Sequence, residues 1–127
     1  MKAHTDLNQS KKLAEILPKE SADMYYEKGI GNNCRIAFGN YADIDISKNL
    51  LHIDAIPCWS LAALLSVIPK HIKDYNVLRI DISDNDFAIW YDEIGYGVNN
   101  DLPNITMESA VDACYEMINK LHEQKIL

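Results

Sequence analysis

The phrase that organises this chain occurs twice, as LAEILPK at residues 13–19 and as LLSVIPK at residues 64–70. Both copies have the pattern of an amphipathic helical turn that stops at a proline, Pro18 in the first and Pro69 in the second. Proline has no amide hydrogen and biases the preceding residue away from helical dihedrals, so each helix must end there. The repeat predicts two short helices followed by strands, and it indicates a duplicated helix-plus-hairpin unit.

The length and composition predict one globular domain. A chain of 127 residues, 48% hydrophobic and 24% charged, has the ordinary size of one domain and can bury a core of its own. We therefore expect a single α+β domain over residues 1–127. The longest apolar run, residues 61–68, is far shorter than the roughly 20 residues that a membrane span needs. We expect no membrane association.

The cysteines and the first residues indicate a cytoplasmic location. Cys34, Cys58 and Cys114 are odd in number, widely spaced and without a Cys-x-x-Cys pair, so neither a disulfide framework nor a zinc site is expected. Each lies in an apolar setting, which favours a buried thiol over a catalytic nucleophile. Residues 1–8 are mostly polar where a signal peptide would have its apolar segment, so no export is predicted.

The net charge of −7 argues against general nucleic-acid binding. An acidic surface repels phosphate backbones, and the lysines do not cluster beyond Lys11 and Lys12. The chain also has no Gly-x-Ser-x-Gly, His-Glu-x-x-His or Walker-type phosphate loop. We therefore predict no catalytic residue, no cofactor and no metal.

The first half predicts one helix and four strands. Leu13, Ile16 and Leu17 share one face of a helix over residues 9–17, which Asn8 or Ser10 could cap. Alternation and aromatic content predict the strands, of which the last two should form a hairpin. These strands are residues 22–26, 34–38, 42–46 and 51–54.

The second half predicts a helix, a hairpin and a long helix. Ser60 can cap a helix of about nine residues, and Thr106 can cap the longest helix, whose apolar face runs to Leu121. Between them lie a hairpin of residues 77–82 and 87–91 and a loop of residues 92–104. The fold class predicted is α+β, with a mostly antiparallel sheet, two short helices and one long C-terminal helix.

Two groups of acidic residues are candidates for a metal or acid–base site. Asp43, Asp45, His52 and Asp54 would share one sheet face, where they could act as acids, bases or ligands. The same alternation is typical of a solvated sheet face, which is the interpretation we favour. Residues 81–86 concentrate carboxylates but lack the glycine and distal glutamate of a calcium loop, so they predict a hairpin turn.

Two loops rich in glycine and asparagine, residues 29–33 and 95–100, could present consecutive amides to an anion. Two ordinary turns are the alternative interpretation. If the chain binds a small ligand, we expect the second loop and the aromatic residues before it to hold it. These candidate residues are Trp90, Tyr91, Gly95, Tyr96, Gly97, Asn99 and Asn100.

Aromatic residues supply candidate partner contacts. The chain has seven tyrosines and two tryptophans, and aromatics with a polar tip are enriched in protein interfaces, although they are equally ordinary at the rim of a small core. We name Tyr115, between the two faces of the long helix, and Trp59 as candidates.

Three phrases carry a resemblance: SADMYY at residues 21–26, IPCWSLAALL at residues 56–65 and DACYEMI at residues 112–118. Through them, and over most of its length, the chain resembles a group of small uncharacterised proteins encoded by bacteriophages and prophages of gut anaerobic bacteria. The resemblance implies a phage context and brings no activity, cofactor or catalytic residue with it.

Together these observations predict a non-catalytic phage or mobile-element protein that binds a host or phage protein, as an inhibitor or regulator. The alternative is a protein that binds or sequesters a small molecule, a nucleotide-like signal, between the two loops or across a dimer. A metal-assisted hydrolase that uses Asp43, Asp45, His52 and Asp54 is the least favoured hypothesis. A homodimer would cover the sheet edges that two hairpins leave open.

Overall fold

A computed structural model describes residues 2–28, 34–38 and 55–127, with Lys28 and residues 34–38 described by their backbone alone. The chain divides into two compact units. The N-terminal unit is Ala3–Ala63, and the C-terminal unit is Leu64–Leu127 together with Met1–Lys2. The single domain expected over residues 1–127 stays a prediction. The predicted hairpin of residues 42–46 and 51–54 and the loop of residues 29–33 lie outside the described residues.

In the N-terminal unit, one helix and a 3-10 turn precede a small sheet. The strands pair antiparallel in the order β2-β1-β3, with Tyr26 opposite both Ile36 and Ile56. The elements are α1 (Leu7–Ala14), the 3-10 turn Lys19–Ser21, β1 (Met24–Lys28), β2 (Cys34–Phe38) and β3 (Ile56–Cys58).

The second helix, α2 (Leu61–Val67), contains the boundary between the units. The C-terminal unit then forms a sheet in the order β4-β5-β6-β7, with β8 also paired to β6, and ends in the longest described helix. Its elements are β4 (His71–Ile72), β5 (Asn76–Ile82), β6 (Phe87–Glu93), β7 (Gly97–Val98), β8 (Ile105–Met107) and α3 (Ala110–Glu123).

These elements confirm the α+β class, with two short helices and a longer C-terminal one. Every strand pairing among the described residues is antiparallel. Within the described ranges, no helix is long and apolar enough to cross a bilayer.

The two proline phrases end their helices in the same way. Leu17 N–H donates to Leu13 C=O at 2.8 Å, and Ile68 N–H donates to Leu64 C=O at 3.3 Å. All four side chains are buried. In each phrase the residue before the proline therefore donates the last helical hydrogen bond. The apolar face of each phrase is buried. Duplication of a whole helix-plus-hairpin unit stays a prediction.

Three helix starts were predicted, and one of the three is correct. Ser60 Oγ accepts the Ala63 N–H at 3.2 Å, as expected for α2. For α1 the cap is Asp6, whose carboxylate accepts the Gln9 N–H at 2.8 Å while Gln9 Oε1 accepts the Asp6 N–H, a reciprocal capping box. Asn8 and Ser10, the predicted caps, lie inside the helix.

The start of α3 is also displaced from its predicted position. Ser109 Oγ accepts the Asp112 N–H at 3.2 Å, so Ser109 is the cap. Thr106 lies in β8, opposite Ala88 of β6. The apolar spacing of the helix runs back through Met107 of that strand, and this overlap of patterns explains the error. The predicted loop of residues 92–104 likewise contains the end of β6 and the short strand β7.

The core of the C-terminal unit lies between α3 and the sheet. α3 packs against β6 and β8. On β6 the buried and half-buried residues alternate, so that Phe87, Ile89 and Tyr91 face the core. The buried residues of α3 are Val111, Ala113, Cys114, Met117, Ile118 and Leu121.

Candidate functional site

The aromatic pair predicted to wall a ligand site lies on two different faces of β6. Tyr91 is fully buried, and its hydroxyl donates to Pro69 C=O at 2.7 Å. Trp90 is half-buried on the opposite face, where its indole N–H donates to Asp92 Oδ1 at 2.8 Å. Consecutive strand residues point to opposite faces, so the two rings cannot form one wall. Tyr91 is corrected to a core residue.

The glycines of the second loop are explained by a tight turn. Gly95 and Gly97 have φ of 87° and 81°, in the left-handed region that side chains rarely adopt. Between them Tyr96 donates its N–H to Glu93 C=O at 2.9 Å and is 83% exposed. The turn therefore projects Tyr96 into solvent and joins β6 to β7. Asn100, a further predicted residue, is exposed after β7.

Asn99 is the predicted residue that the fold does place in a polar site. Its side-chain amide donates to Asn76 Oδ1 at 2.9 Å, and Asn76 in turn donates to Ile72 C=O at 3.1 Å. Asn99 Oδ1 accepts the Asp101 N–H at 3.0 Å, and the Asn99 N–H donates to Tyr91 C=O at 2.9 Å. Asn76 is 2% exposed, so this chain of amides ties the interior of the sheet to the loop after β7.

The amide chain lies in the wall of a cleft of about 460 Å³ within the C-terminal unit. This volume lies in the range of small-ligand sites. Tyr75, about half exposed, offers an aromatic face, and the amides of Asn76 and Asn99 offer hydrogen bonds. Glu93 and Asp101 also line the cleft. Lys73 is the third charged residue of the lining, so the cleft carries two carboxylates and one ammonium. This balance of charge suits a neutral polar ring better than a polyanion.

Most of this cleft was missed by the sequence reasoning. Asn76 precedes an apolar strand pattern and has the composition of a turn residue, so nothing in the pattern shows that it is buried. Tyr75 and Asn99 are 24 positions apart in the sequence, and the pairings of β6 with both β5 and β7 bring the two segments together. Of the residues predicted to hold a ligand, Asn99 is the one that lines the cleft.

The two candidate partner residues differ in what they present. Trp59 is fully buried, and its indole N–H donates to Ser21 Oγ at 2.9 Å. Its backbone N–H and C=O both bond Thr5, so the residue fastens the core of the N-terminal unit. Its side chain therefore offers no surface to a partner, which corrects that expectation. Tyr115 is half-buried on α3, and its C=O accepts from the Asn119 amide.

A different set of side chains forms the exposed apolar surface. Among the described residues, every exposed large hydrophobic side chain falls between residues 75 and 98 of the C-terminal unit. Sets of exposed apolar residues of this kind mark interaction sites on many proteins. We call these side chains the apolar set: Tyr75, Ile80, Ile82, Ile94, Tyr96 and Val98.

The two thiols whose surroundings are described are poor nucleophiles. Cys58 and Cys114 are both fully buried and free. Burial raises the pKa of Cys58, although hydrogen bonds from Thr5 and Ser10 oppose the shift. Burial raises the pKa of Cys114 to about 12, against a smaller lowering by Lys70. At neutral pH both thiols hold their protons.

Asp43, Asp45, His52 and Asp54 lie outside the described residues. Among the residues that are described, no three His, Cys, Asp or Glu side chains are grouped so that they could hold a metal ion.

Comparison with protein families, with curated proteins and with solved structures finds no match to this chain.

Asn76→Ala should destabilise the protein by about 1–3 kcal/mol, because Ile72 C=O and the Asn99 amide would each lose a buried partner. Urea unfolding of the variant and the wild type measures the loss. Asn100→Ala is the matched control, since Asn100 is exposed, and it should change the free energy of unfolding by less than about 0.5 kcal/mol. Equal small losses for both variants would contradict the role given to the amide chain.

The free energy of unfolding should fall as the pH rises above the ordinary Cys pKa of 9.0. Above that pH the unfolded chain loses the Cys114 proton, whereas the folded chain keeps it up to about pH 12. The unfolded state then binds fewer protons, so stability decreases by up to about 1.4 kcal/mol per pH unit for this group. Burial also raises the pKa of Tyr91, which adds to the decrease at higher pH.

Urea unfolding from about pH 8 to about pH 10.5 checks this sign. Cys114→Ala lowers stability at every pH by leaving a cavity, but its stability should fall less steeply with pH than that of the wild type. Glu123→Ala, an exposed change that leaves the thiols in place, should keep the wild-type slope. Parallel curves for wild type and Cys114→Ala would show that the thiol is not held in its neutral form.

Proposed function

We propose that this chain is a non-catalytic, cytoplasmic protein of bacteriophage or mobile-element origin that binds a host or phage protein. Binding would inhibit or regulate that partner. The C-terminal unit would supply the contact, through the apolar set. The phage context rests on the resemblance carried by residues 21–26, 56–65 and 112–118.

One observation carries the proposal: among the described residues, every exposed large apolar side chain lies in the C-terminal unit, on strands β5 and β7 or in the turns next to β5, β6 and β7. Tyr96 is 83% exposed and Ile82 is 75% exposed, and both lie in the C-terminal unit. Leaving large apolar side chains in water forgoes roughly 1.5–3 kcal/mol for each that a partner could cover completely. Contact with a partner is the arrangement that recovers this free energy.

The charge of the chain supports a basic partner. A net charge of −7 produces a negative potential around the protein. Such a potential speeds encounters with a positively charged partner surface and disfavours acidic ones. The two described cysteines are buried and protonated, which favours a binding role over thiol catalysis.

Photo-crosslinking in bacterial lysate tests this function. A benzoylphenylalanine placed at Tyr96 or Ile82 should yield a discrete crosslinked species with one protein, because these side chains would lie in the interface. The same probe at Glu123 of α3, which is exposed but outside the apolar set, should not yield it. Tyr96→Asp combined with Ile82→Asp should reduce capture about tenfold or more. Absence of any specific species at Tyr96 and Ile82 would contradict the function.

A second candidate function is favoured by the cleft, in which Asn76 and Asn99 present amides beside Tyr75. In this alternative the protein binds or sequesters a small molecule of nucleotide-like character. The carboxylates of Glu93 and Asp101 favour recognition of the base or nucleoside part rather than of phosphates. Side-chain amides suit the mixed donors and acceptors of a heterocyclic ring edge.

Thermal unfolding with a panel of nucleosides and nucleotides tests the alternative. A ligand at 100 times its dissociation constant should stabilise the wild type by about 2.7 kcal/mol, seen as a higher Tm. Tyr75→Ala should abolish the shift, because Tyr75 lines the cleft. Tyr96→Ala removes the same ring from an exposed position outside the cleft, and it should keep the shift. An unchanged Tm across the panel would exclude this function for these ligands.

A further inference from the structure

One side of β5 is only partly occupied. On the side that faces β6, β5 is paired over its whole length, from Asn76 to Ile82. Along its other side, β4 pairs with Asn76 and Val77, and the Leu78 N–H donates to Lys70 C=O at 2.9 Å. Within the described part of the chain, no strand pairs with that outer side from Arg79 to Ile82. We call Arg79–Ile82 the β5 edge.

The hydrogen-bonding groups of the β5 edge follow from the alternation of the backbone. In an antiparallel sheet, alternate residues direct their N–H and C=O groups to opposite sides of the strand. The Leu78 N–H points outward to Lys70, whereas Tyr75 C=O points to the β6 side, where it accepts from Ile94 at 2.8 Å. Ile80 and Ile82 therefore direct their N–H and C=O groups outward, and Asp81 directs its groups to β6.

Ile80 and Ile82 of the β5 edge lie on the core-facing side of the sheet but are exposed to solvent. Ile80 lies opposite Ile89, and Ile82 lies opposite Phe87, so the paired side chains share one face of the sheet. Ile89 and Phe87 are buried, whereas Ile80 is 40% and Ile82 75% exposed. α3 packs on β6 and β8, and the exposure of Ile80 and Ile82 shows that this part of β5 is incompletely covered. A strand added at the edge would place its own apolar side chains beside Ile80 and Ile82.

The opposite face of the β5 edge carries charge. Arg79 Nε lies 3.3 Å from Asp92 Oδ2, so its charge already has a partner. Asp81 is exposed and has no cationic partner among the described residues. Asp84 and Asp86, both exposed, follow in the turn. An added strand therefore gains most from a basic side chain next to Asp81, since opposite charges on neighbouring strands stabilise a sheet.

A second copy of this chain fits the β5 edge poorly. Because Ile80 and Ile82 carry the outward groups, two copies that pair antiparallel with Ile80 opposite Ile82 would be centred on Asp81, which would bring the two Asp81 carboxylates directly opposite each other. Like charges in that position destabilise a sheet. Centring the pair on Ile80 instead would bring Ile82 of one copy opposite Leu78 of the other, where Lys70 is already bonded. The net charge of −7 on each copy adds to the repulsion.

We propose that the β5 edge binds an extended segment of the partner protein, which adds a strand to the sheet. The segment has apolar residues at alternate positions and a lysine or arginine between them. Its backbone would bond the outward N–H and C=O groups of Ile80 and Ile82, and its basic residue would lie beside Asp81. Peptide segments bind other sheet edges by the same strand addition. This inference rests on the proposed protein-binding function and specifies its partner.

Two end-blocked peptides of equal length serve as probes, one alternating valine with lysine and the other alternating valine with glutamate. Fluorescence anisotropy should show the lysine peptide binding about tenfold or more tightly than the glutamate peptide. Asp81→Lys should remove this preference. Glu123→Lys changes the net charge by the same amount on exposed α3 and should keep it, which separates the edge from general electrostatic attraction.

Amide hydrogen exchange gives a readout specific to the edge. On addition of the lysine peptide, exchange at the Ile80 and Ile82 amides should slow at least about tenfold, because their N–H groups gain partners. The Asp81 amide, which is directed to β6, should change little. Ile80→Pro removes an outward N–H while sparing the ladder to β6, so the variant should fold and lose the peptide. Urea unfolding checks that it is folded.

Equal affinity of the wild type for the two peptides would overturn the inference, and so would identical behaviour of Asp81→Lys and Glu123→Lys. A wild-type dimer in sedimentation that Ile80→Pro dissociates would also overturn it, in favour of a second copy. If crosslinking from Tyr96 to a single protein persists in Ile80→Pro, the partner uses another part of the apolar set; the edge inference then fails and the proposed function stands. If no specific crosslink forms at Tyr96 or Ile82, both fail.

Discussion

β5 and β6 pair antiparallel over seven residues, from Asn76 opposite Glu93 to Ile82 opposite Phe87. This register assigns each side chain of both strands to a face, and a slip of one residue would move all of them to the other face. It buries Ile89 and Tyr91 beneath α3, and it leaves Ile80 and Ile82 on the same face but beyond that helix. The buried core and the exposed edge of the C-terminal unit are therefore two consequences of one pairing.

The polar features of the unit depend on the same register at its other end. Asn76 begins β5, and its buried amide holds Ile72 on one side and Asn99 on the other. A buried side-chain amide is stable only with its hydrogen bonds satisfied, so this residue fixes the loop after β7 against the sheet. The cleft beside Tyr75 exists because that loop is held in place. The β5 edge and the cleft thus lie at opposite ends of one strand.

Local sequence rules performed well where one hydrogen bond or one backbone preference decides the outcome. The prolines at 18 and 69 end their helical segments on equivalent bonds, and the hairpin of β5 and β6 forms across the predicted turn. The rules failed where two patterns overlap. The apolar spacing of α3 continues into Met107 and so predicts a cap at Thr106, whereas the pairing of β8 with β6 places both residues in a strand.

The sequence by itself determined the class of the fold, the two short helices and four of the eight described strands, namely β1, β2, β5 and β6, because these follow from periodicity, proline and turn chemistry within a few residues. The tertiary structure decided which large apolar side chains remain exposed to solvent. Trp59 and Tyr91 are buried in the cores of their units, whereas Tyr96 and Ile82 are exposed to solvent. Exposure depends on what packs over a residue from distant parts of the chain, and neither the composition nor the spacing of a single sequence records that. The cleft and the β5 edge are products of long-range pairing for the same reason.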